Sequence, residues 1–237
     1  YTLKNILNNE WDVSSLPDLS DQEIERMYSI PSSKNSNLSH FGIAGGCNFS
    51  LRNRYIPSHS LHVIYYNFPE IGRMGSKVTK QATEKIMNLY KTESIHQNDN
   101  IFVIINDNIS DTLDNSFNDL NINLQNEYTL KDDIIDEIKK NDYSFEKRHF
   151  NNVFLFNIDS LTNNLLEHRL VPKHNTIRKT SDINEILEKC NCTLNQLPVI
   201  LKNDIISKLI RLTPGDICHI ERDSQTAGEY PFYRICK

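Results

Sequence analysis

The run His168-Arg169-Leu170-Val171-Pro172-Lys173-His174 packs two histidines, an arginine and a lysine together. Such groups could move a proton or hold an anion. The five cysteines include Cys190-x-Cys192, which with Cys218 and Cys236 could offer four soft ligands to zinc. Zinc sites close through C-x₂₋₄-C spacing, which is absent here, so these read as buried or idle thiols. An odd cysteine count at irregular spacing is also a poor disulfide framework and suits a reducing compartment. Gly42-x-x-Gly45-Gly46 lacks the G-K-[ST] ending and preceding apolar strand of a phosphate loop. Asp107 follows a strand end, but no acid-x-Lys pair stands on a neighbouring strand to complete a nuclease metal site. No Ser/His/Asp or Cys/His set sits in a nucleophile elbow. No residue is therefore assigned to catalysis, a cofactor or a metal.

The scaffold for these groups has 237 residues, 38% of them hydrophobic. That is enough for one large domain or two modest ones. No apolar run approaches the ~18 residues that a membrane span needs. The numbering opens on Tyr1 rather than Met, which leaves an upstream targeting segment open. A net charge of −5 argues against coating nucleic acid but leaves room for one DNA-facing surface. Abundant Asn, Ile and Lys with scarce Gly point to an AT-rich genome rather than a demand of the fold.

In order, Leu3, Ile6 and Leu7 predict a short amphipathic helix over 2–9. Ser20-Asp21-Gln22-Glu23 forms a capping box ahead of a helix whose Ile24, Met27 and Tyr28 should face the core, closed by Pro31. Residues 32–59, polar and broken by glycine, read as a flexible surface connection. A strand over 61–68, a helix over 78–95 and a wholly apolar central strand over 101–105 follow. Ser110 can cap a helix carrying Leu113, Phe117 and Leu120. The polar stretch 121–142 holds at most one helix, at 130–140. Glu146-Lys147-Arg148-His149 makes a small basic spot, and 152–158 a third strand. Strand, helix, strand, helix, strand predicts a three-layer α/β domain over residues 1–164.

Residues 165–237 predict a small α+β domain. Pro172 forces Val171 into extended geometry, so 168–174 reads as a strand that exits sharply. Asp182-Ile183-Asn184-Glu185 reads as a helix start, with Ile183, Ile186, Leu187 and Cys190 on the core face. Leu194 and the run Leu197-Pro198-Val199-Ile200 form an apolar link. Asp204 can cap a second short helix with Ile205, Ile206 and Leu209. A turn with Gly215 at positive φ leads into a closing β-hairpin of strands 216–222 and 230–236.

Taken together, Leu170 to His174, Leu197-Pro198-Val199-Ile200, Gly215-Asp216, Arg222-Asp223-Ser224-Gln225-Thr226-Ala227-Gly228 and Tyr233-Arg234 resemble the fifth subunit of eukaryotic nuclear RNA polymerases and its archaeal homologue. The family pattern is L-V-P-K-H, a helix, L-P-x-I, G-[DE], R-x-S-x-T-[AS]-G and a final Y-R. The chain departs at Asn203-Asp204-Ile205, where the family has D-P, so the first turn of the second helix should loosen. Lys4-Asn5-Ile6-Leu7, Asp12-Val13 and 100–110 match the amino-terminal domain more faintly, and 32–59 and 121–142 look like insertions.

The resemblance implies a non-catalytic polymerase subunit. Its C-terminal domain would dock on the largest subunit, among other polymerase subunits, and its N-terminal domain would form a jaw beside downstream duplex DNA. The partner-facing residues it implies are Leu170, Val171, Pro172, Lys173, His174, Gly215, Asp216, Arg222, Ser224, Thr226, Ala227, Gly228, Tyr230, Tyr233 and Arg234, with Arg222 and Arg234 as anchors. Relatives shape the DNA face with Thr-Pro where this chain has Ser110-Asp111, followed by Asp114 and Asp119. Those carboxylates repel phosphate, which weakens DNA contact at Ser110 or moves it to Arg52, Arg54, Lys77 or Lys80. The expected location is the nucleus for a cell, or a cytoplasmic factory or virion for a large DNA virus. The alternatives are a nuclease using the N-terminal α/β layer and a free-standing transcription cofactor.

Overall fold

The computed structural model describes residues 2–29, 43–69, 73, 75, 77–141, 145–224 and 228–237. Two short helices come first, α1 (Thr2–Leu7) and α2 (Asp21–Ser29). Ile6 and Leu7 of α1 are buried, as their spacing requires. At α2 the Ser20 N–H and hydroxyl both donate to Glu23 Oε2 at 2.8 Å, so the carboxylate half of the capping box forms. The apolar face of α2 is a correction: it buries no residue, and Ile24 is 45% exposed. Tyr28 packs on the core edge and donates its hydroxyl to the Pro69 carbonyl.

The N-terminal sheet is built by β1 (Phe49–Arg52), β2 (Ser60–Tyr66), β3 (Asn100–Ile105) and β4 (Val153–Asn157). Helices α3 (Gln81–Lys91), α4 (Asp111–Glu127) and α5 (Asp132–Asn141) lie between them in sequence. The spatial order is β1-β2-β3-β4, with β1 antiparallel to β2 and the other pairs parallel. Every residue of β3 is buried, as expected of a strand covered on both faces. Ile101, Val103 and Ile105 meet Ile86, Leu89 and Tyr90 of α3 and Leu113, Phe117, Leu120 and Leu124 of α4. Phe102 and Ile104 point the other way, into a cluster with Leu7, Trp11, Val13, Phe154, Phe156 and Leu209. Helices, sheet and a second covering make the three layers.

Parts of 32–59, expected as a flexible surface connection, and of 121–142, expected as a polar stretch with at most one helix, belong to regular elements. Residues 43–47 form a 3₁₀ turn that buries Ala44, and β1 follows directly. Its strand character lies in the alternation Phe49, Leu51 inward and Ser50, Arg52 outward, which polar neighbours hide. Gly42 and the rest of 32–42 fall outside the described residues. Residues 121–127 extend α4, with Asn121 and Leu124 buried. Asn121 Nδ2 donates to the Val153 carbonyl at 2.9 Å and its Oδ1 accepts from the Val153 N–H at 2.7 Å. A polar side chain here completes a strand end. The helix expected at 130–140 is α5.

Ser110 caps α4 by accepting from the Leu113 N–H at 3.3 Å. Ser110→Ala should lower stability by about 1 kcal/mol, read as a lower urea midpoint with unchanged slope. A neutral result would mean that the cap is redundant with solvent.

The C-terminal sheet contains β5 (Lys173–Ile177), β6 (Val199–Ile200), β7 (Ile217–Ser224) and β8 (Gly228–Cys236), with helices α6 (Thr180–Lys189) and α7 (Ile205–Leu209). The order is β5-β7-β8-β6, β6 running parallel to β8 and the other pairs antiparallel. Ile183 and Ile186 of α6 pack on Ile217, Ile235 and Leu197. Ile200, Leu212, Cys218, Ile220 and Cys236 form the opposite cluster. The strand expected over 168–174 begins only after Pro172 and runs on to Ile177, because proline supplies extended geometry but no ladder donor. Helix α6 starts two residues before Asp182, with Lys179 at the cap position, and leaves Cys190 exposed. The apolar link becomes an edge strand. At α7 the expected cap holds: Asp204 Oδ1 accepts from the Ile206 N–H at 2.8 Å. Gly215 takes φ +99°, as the turn demands.

Candidate partner-docking face and the charge network behind it

Residues paired across antiparallel strands share a face, and each strand alternates between faces. The register therefore sorts the residues expected to meet a partner. Arg222 stands opposite Tyr230, Ile220 opposite both Phe232 and His174, and Cys218 opposite Arg234. His174, Arg222, Tyr230, Phe232 and Arg234 thus share one face of the C-terminal sheet. The guanidinium of Arg222 lies 4.5 Å from the Phe232 ring centre and that of Arg234 lies 5.5 Å from it, so two cations share one ring. Among the described residues neither arginine has an ion-pair partner, and Arg234 Nε is buried without a hydrogen bond. Tyr230 is 56% exposed. His174 donates from Nδ1 to the Pro172 carbonyl at 2.6 Å. Burial, with the two arginines, lowers its pKa below the usual histidine value and keeps the ring neutral at pH 7.

Other expected residues go elsewhere. Lys173 and Tyr233 occupy the opposite face, where Lys173 pairs with Glu221 at 3.5 Å and Tyr233 stacks on His219 at 5.2 Å. Leu170, 76% exposed, with Val171 and Pro172 forms the approach to β5. Ser224 and Gly228 pair at the hairpin tip, while Thr226 and Ala227 lie outside the described residues. Gly228 has open space around it but takes φ +69°, so a side chain there is strained by conformation rather than by contact.

Asp216, expected at a partner surface, is instead fully buried and used within the chain. Its Oδ2 accepts from the Thr213 N–H and hydroxyl, both at 3.0 Å. Its Oδ1 faces His149 Nε2 at 3.0 Å and Arg148 Nη2 at 3.1 Å. His149 Nδ1 accepts the Glu146 N–H at 2.8 Å, which leaves Nε2 as the protonated nitrogen and makes it the donor to Asp216. Burial alone would raise the Asp216 pKa, but the His149 hydrogen bond and the Arg178 charge outweigh it and hold the carboxyl below its ordinary value. The expected basic spot at 146–149 is thus largely spent inside the fold.

A second carboxylate, Glu10, completes the network. It accepts from Arg211 Nη2 and pairs with Arg178 Nη1 at 3.4 Å, while Arg178 Nε lies 3.6 Å from Asp216. Burial would raise the Glu10 pKa, yet Arg211 and then Arg178 overcome it and hold it at about 2. Arg211 follows the C-cap of α7 with φ +54°, a left-handed conformation usually left to Gly or Asn. That geometry turns its guanidinium over the Trp11 ring at 5.6 Å. On the other side of the seam Lys208 pairs with Asp114 at 3.2 Å, and Asn203 Nδ2 donates to the same carboxylate. The residues at the expected loose point, Asn203 and Asp204, thus respectively hold α4 and cap α7. Glu10, Arg178 and Arg211 are not singled out by the sequence, and no motif marks them or the buried role of His149.

The residues expected near DNA do not form one patch. Arg52 pairs with Ser60 at the start of β2, whereas Lys77, Lys80 and Ser110 follow the ends of the parallel strands β2 and β3. Arg54 donates to the Trp11 carbonyl at 3.1 Å and to Asn8 Oδ1 at 2.6 Å. The length of a seven-residue strand, roughly 20 Å, separates the two groups. Asp107 receives the Val78 and Asn108 N–H groups at 3.2 and 2.8 Å, a loop-closing role. Among the described residues no group of three or more His, Cys, Asp or Glu could hold a metal ion, and no helix is long and apolar enough to cross a membrane. Cys218 and Cys236 are buried thiols whose pKa values burial pushes up to about 11 and about 12.

The C-terminal unit is thus a mixed sheet with one cation- and aromatic-rich face, beside a network of buried ion pairs. Residues 163–236 match the family model described as RNA polymerase Rpb5, C-terminal domain. DNA-directed RNA polymerase subunit Rpo5 of Methanosphaera stadtmanae is 40% identical over 73 residues, 31% of this chain and 94% of that protein. The Rpo5 subunit of Archaeoglobus fulgidus is 45% identical over 71 residues, 30% of this chain and 92% of that protein. The DNA-directed RNA polymerases I, II, and III subunit rpabc1 of Dictyostelium discoideum is 38% identical over 81 residues, 34% of this chain and 41% of that protein. The chain belongs to the Rpb5/Rpo5 family, the fifth subunit of DNA-directed RNA polymerases.

Proposed function

We propose that this chain is a non-catalytic subunit of a multisubunit DNA-directed RNA polymerase, divided into a jaw-like domain over 1–164 and an assembly domain over 165–237. The assembly domain docks on the largest subunit through the face that carries Arg222, Tyr230, Phe232 and Arg234. The observation that carries this reading is the pair of guanidinium groups held on an aromatic ring without carboxylate partners among the described residues. Arginines preorganised on a ring lose little rotamer freedom when a partner supplies an acceptor, and Arg and Tyr dominate interface energetics. The jaw domain lies near downstream DNA. Lys77 and Lys80, both exposed at the C-terminal edge of the parallel strands, suit phosphate better than Arg54, which is engaged within the chain. In a nucleated cell the site of action is the nucleus.

A tagged chain should co-purify with a large polymerase subunit at moderate salt. Arg222→Glu should weaken that association by about 30-fold or more, the effect of losing a contact worth about 2 kcal/mol. Lys173→Glu, on the opposite face, should leave it unchanged. Equal recovery of both variants would place the docking surface elsewhere, and no large polymerase subunit with the unaltered chain would sink the assembly reading.

A further inference from the structure

Outside the docking face, three residues far apart in sequence form a hydrogen-bonded chain on the N-terminal sheet. Ser50 and His62 are partners across β1 and β2, and Ser50 Oγ lies 2.6 Å from His62 Nδ1. His62 Nε2 lies 2.9 Å from Asp99 Oδ2. Asp99 is itself fixed: its Oδ1 accepts from the Ser60 N–H at 2.8 Å and its Oδ2 from the His96 N–H at 3.2 Å. The Asp99 side chain is 3% exposed and that of His62 is 12% exposed, whereas Ser50 faces solvent.

This order of contacts decides the tautomer. An ionised carboxylate only accepts, so the Asp99 contact places the imidazole proton on Nε2. In the neutral ring Nδ1 is then a bare acceptor, to which the Ser50 hydroxyl can donate. A serine hydroxyl on an imidazole that is backed by a buried and anchored carboxylate has the connectivity that activates a serine nucleophile, here with the two ring nitrogens exchanged. Here it arises from two strands and the loop before β3. The strand pairing explains its stability. The Asn53 N–H donates to the His59 carbonyl across the same strand pair, and the Arg52 carbonyl accepts the Asp12 N–H on the outer side. Alternation from these two contacts makes Ser50 and His62 a non-hydrogen-bonded pair, in which side chains approach most closely.

We propose that Ser50 is an acylation site: a nucleophile that takes one acyl group from an activated ester or thioester, with His62 as base and Asp99 as positioning residue. Ser50 Oγ bonds to the acyl carbon and its proton passes to His62 Nδ1. The bond from that carbon to the leaving oxygen or sulfur breaks, and the departing group carries away the electron pair. The imidazolium then returns its proton to the leaving group or to water. β1 is the edge strand of its sheet, so a small acyl donor reaches the hydroxyl from solvent along the sheet margin. The product is a stoichiometric O-acyl serine.

The full chain would be treated with p-nitrophenyl acetate, following nitrophenolate release and mapping acetyl groups by peptide mass. The expected result is one acetyl group on Ser50, added faster than on Ser14, a serine that donates to a carboxylate without an imidazole. His62→Gln should slow the labelling of Ser50 by about 100-fold, in the range of general-base contributions. Asp99→Asn should slow it with the fold retained, checked by thermal unfolding, and Ser50→Cys should keep a reactive site. Acetylation of Ser50 no faster than Ser14, or a rate at Ser50 indifferent to His62→Gln in a folded variant, would overturn the proposal.

Discussion

Glu10→Gln is expected to destabilise the chain by about 3–5 kcal/mol, the usual result of removing one partner from a buried ion pair. Glu10 accepts from Arg211 and pairs with Arg178, and its replacement leaves the buried Arg211 without a counter-charge and Arg178 with Asp216 alone. The effect should be visible in urea unfolding followed by fluorescence of Trp11, the chain's single tryptophan, since Arg211 lies over its ring. The same pair sets an acid limit. The folded pKa of Glu10, about 2, lies below its ordinary 4.5. Its contribution, about 3 kcal/mol by linkage, is therefore complete above about pH 4.5 and is lost as pH falls towards 2. The Gln variant should show a flatter acid limb. Equal stability of the two chains at pH 7 would mean that the arginines find other partners or water.

Asp216→Ala should destabilise by a similar amount, about 3–5 kcal/mol. The carboxylate gathers the Thr213 N–H and hydroxyl, His149 Nε2–H, Arg148 and Arg178, so its removal leaves several buried donors unpaired at once. Because Arg178 touches both Asp216 and Glu10, the double variant should lose less than the sum of the singles. Strict additivity in the double-mutant cycle would break the picture of one network. Since Glu10 and His149 precede the C-terminal sheet while Arg178, Arg211 and Asp216 belong to its region of the chain, limited proteolysis should cut near 165–172 more readily in both single variants. An unchanged cleavage pattern would show that the apolar contact of Leu209 with the N-terminal core holds the seam unaided.

The parts of this protein written in local patterns are legible without coordinates. The all-apolar run 101–105 declares a doubly covered central strand, Ser110 and Asp204 declare their helix caps, and Gly215 declares its turn. The blocks Leu170–His174, 197–200 and 222–234 carry the family resemblance because they are contiguous. Elements whose stabilising partners are distant escape such reading. β1 hides among polar residues because only Phe49 and Leu51 face inward, and its sheet partner supplies the rest. Asn121 looks like solvent-facing helix surface, yet its amide closes the start of β4. Helix α2 misleads in the other direction: it has an apolar face at the right spacing but buries no residue.

Residue type and separations of a few positions along the chain were enough for the family and for the cap and turn chemistry. How the charges are spent was settled in three dimensions. Asp216 and Arg222 are close in sequence and both belong to the set expected at a partner, but strand register and the turn at Gly215 put one inside a buried network and the other in solvent. Glu10 meets Arg211 across most of the length of the chain, and Ser50, His62 and Asp99 come together through strand pairing and the loop before β3. Coulomb energy and hydrogen bonding depend on distance in space and on local burial, and neither is encoded in the spacing of residues along a chain.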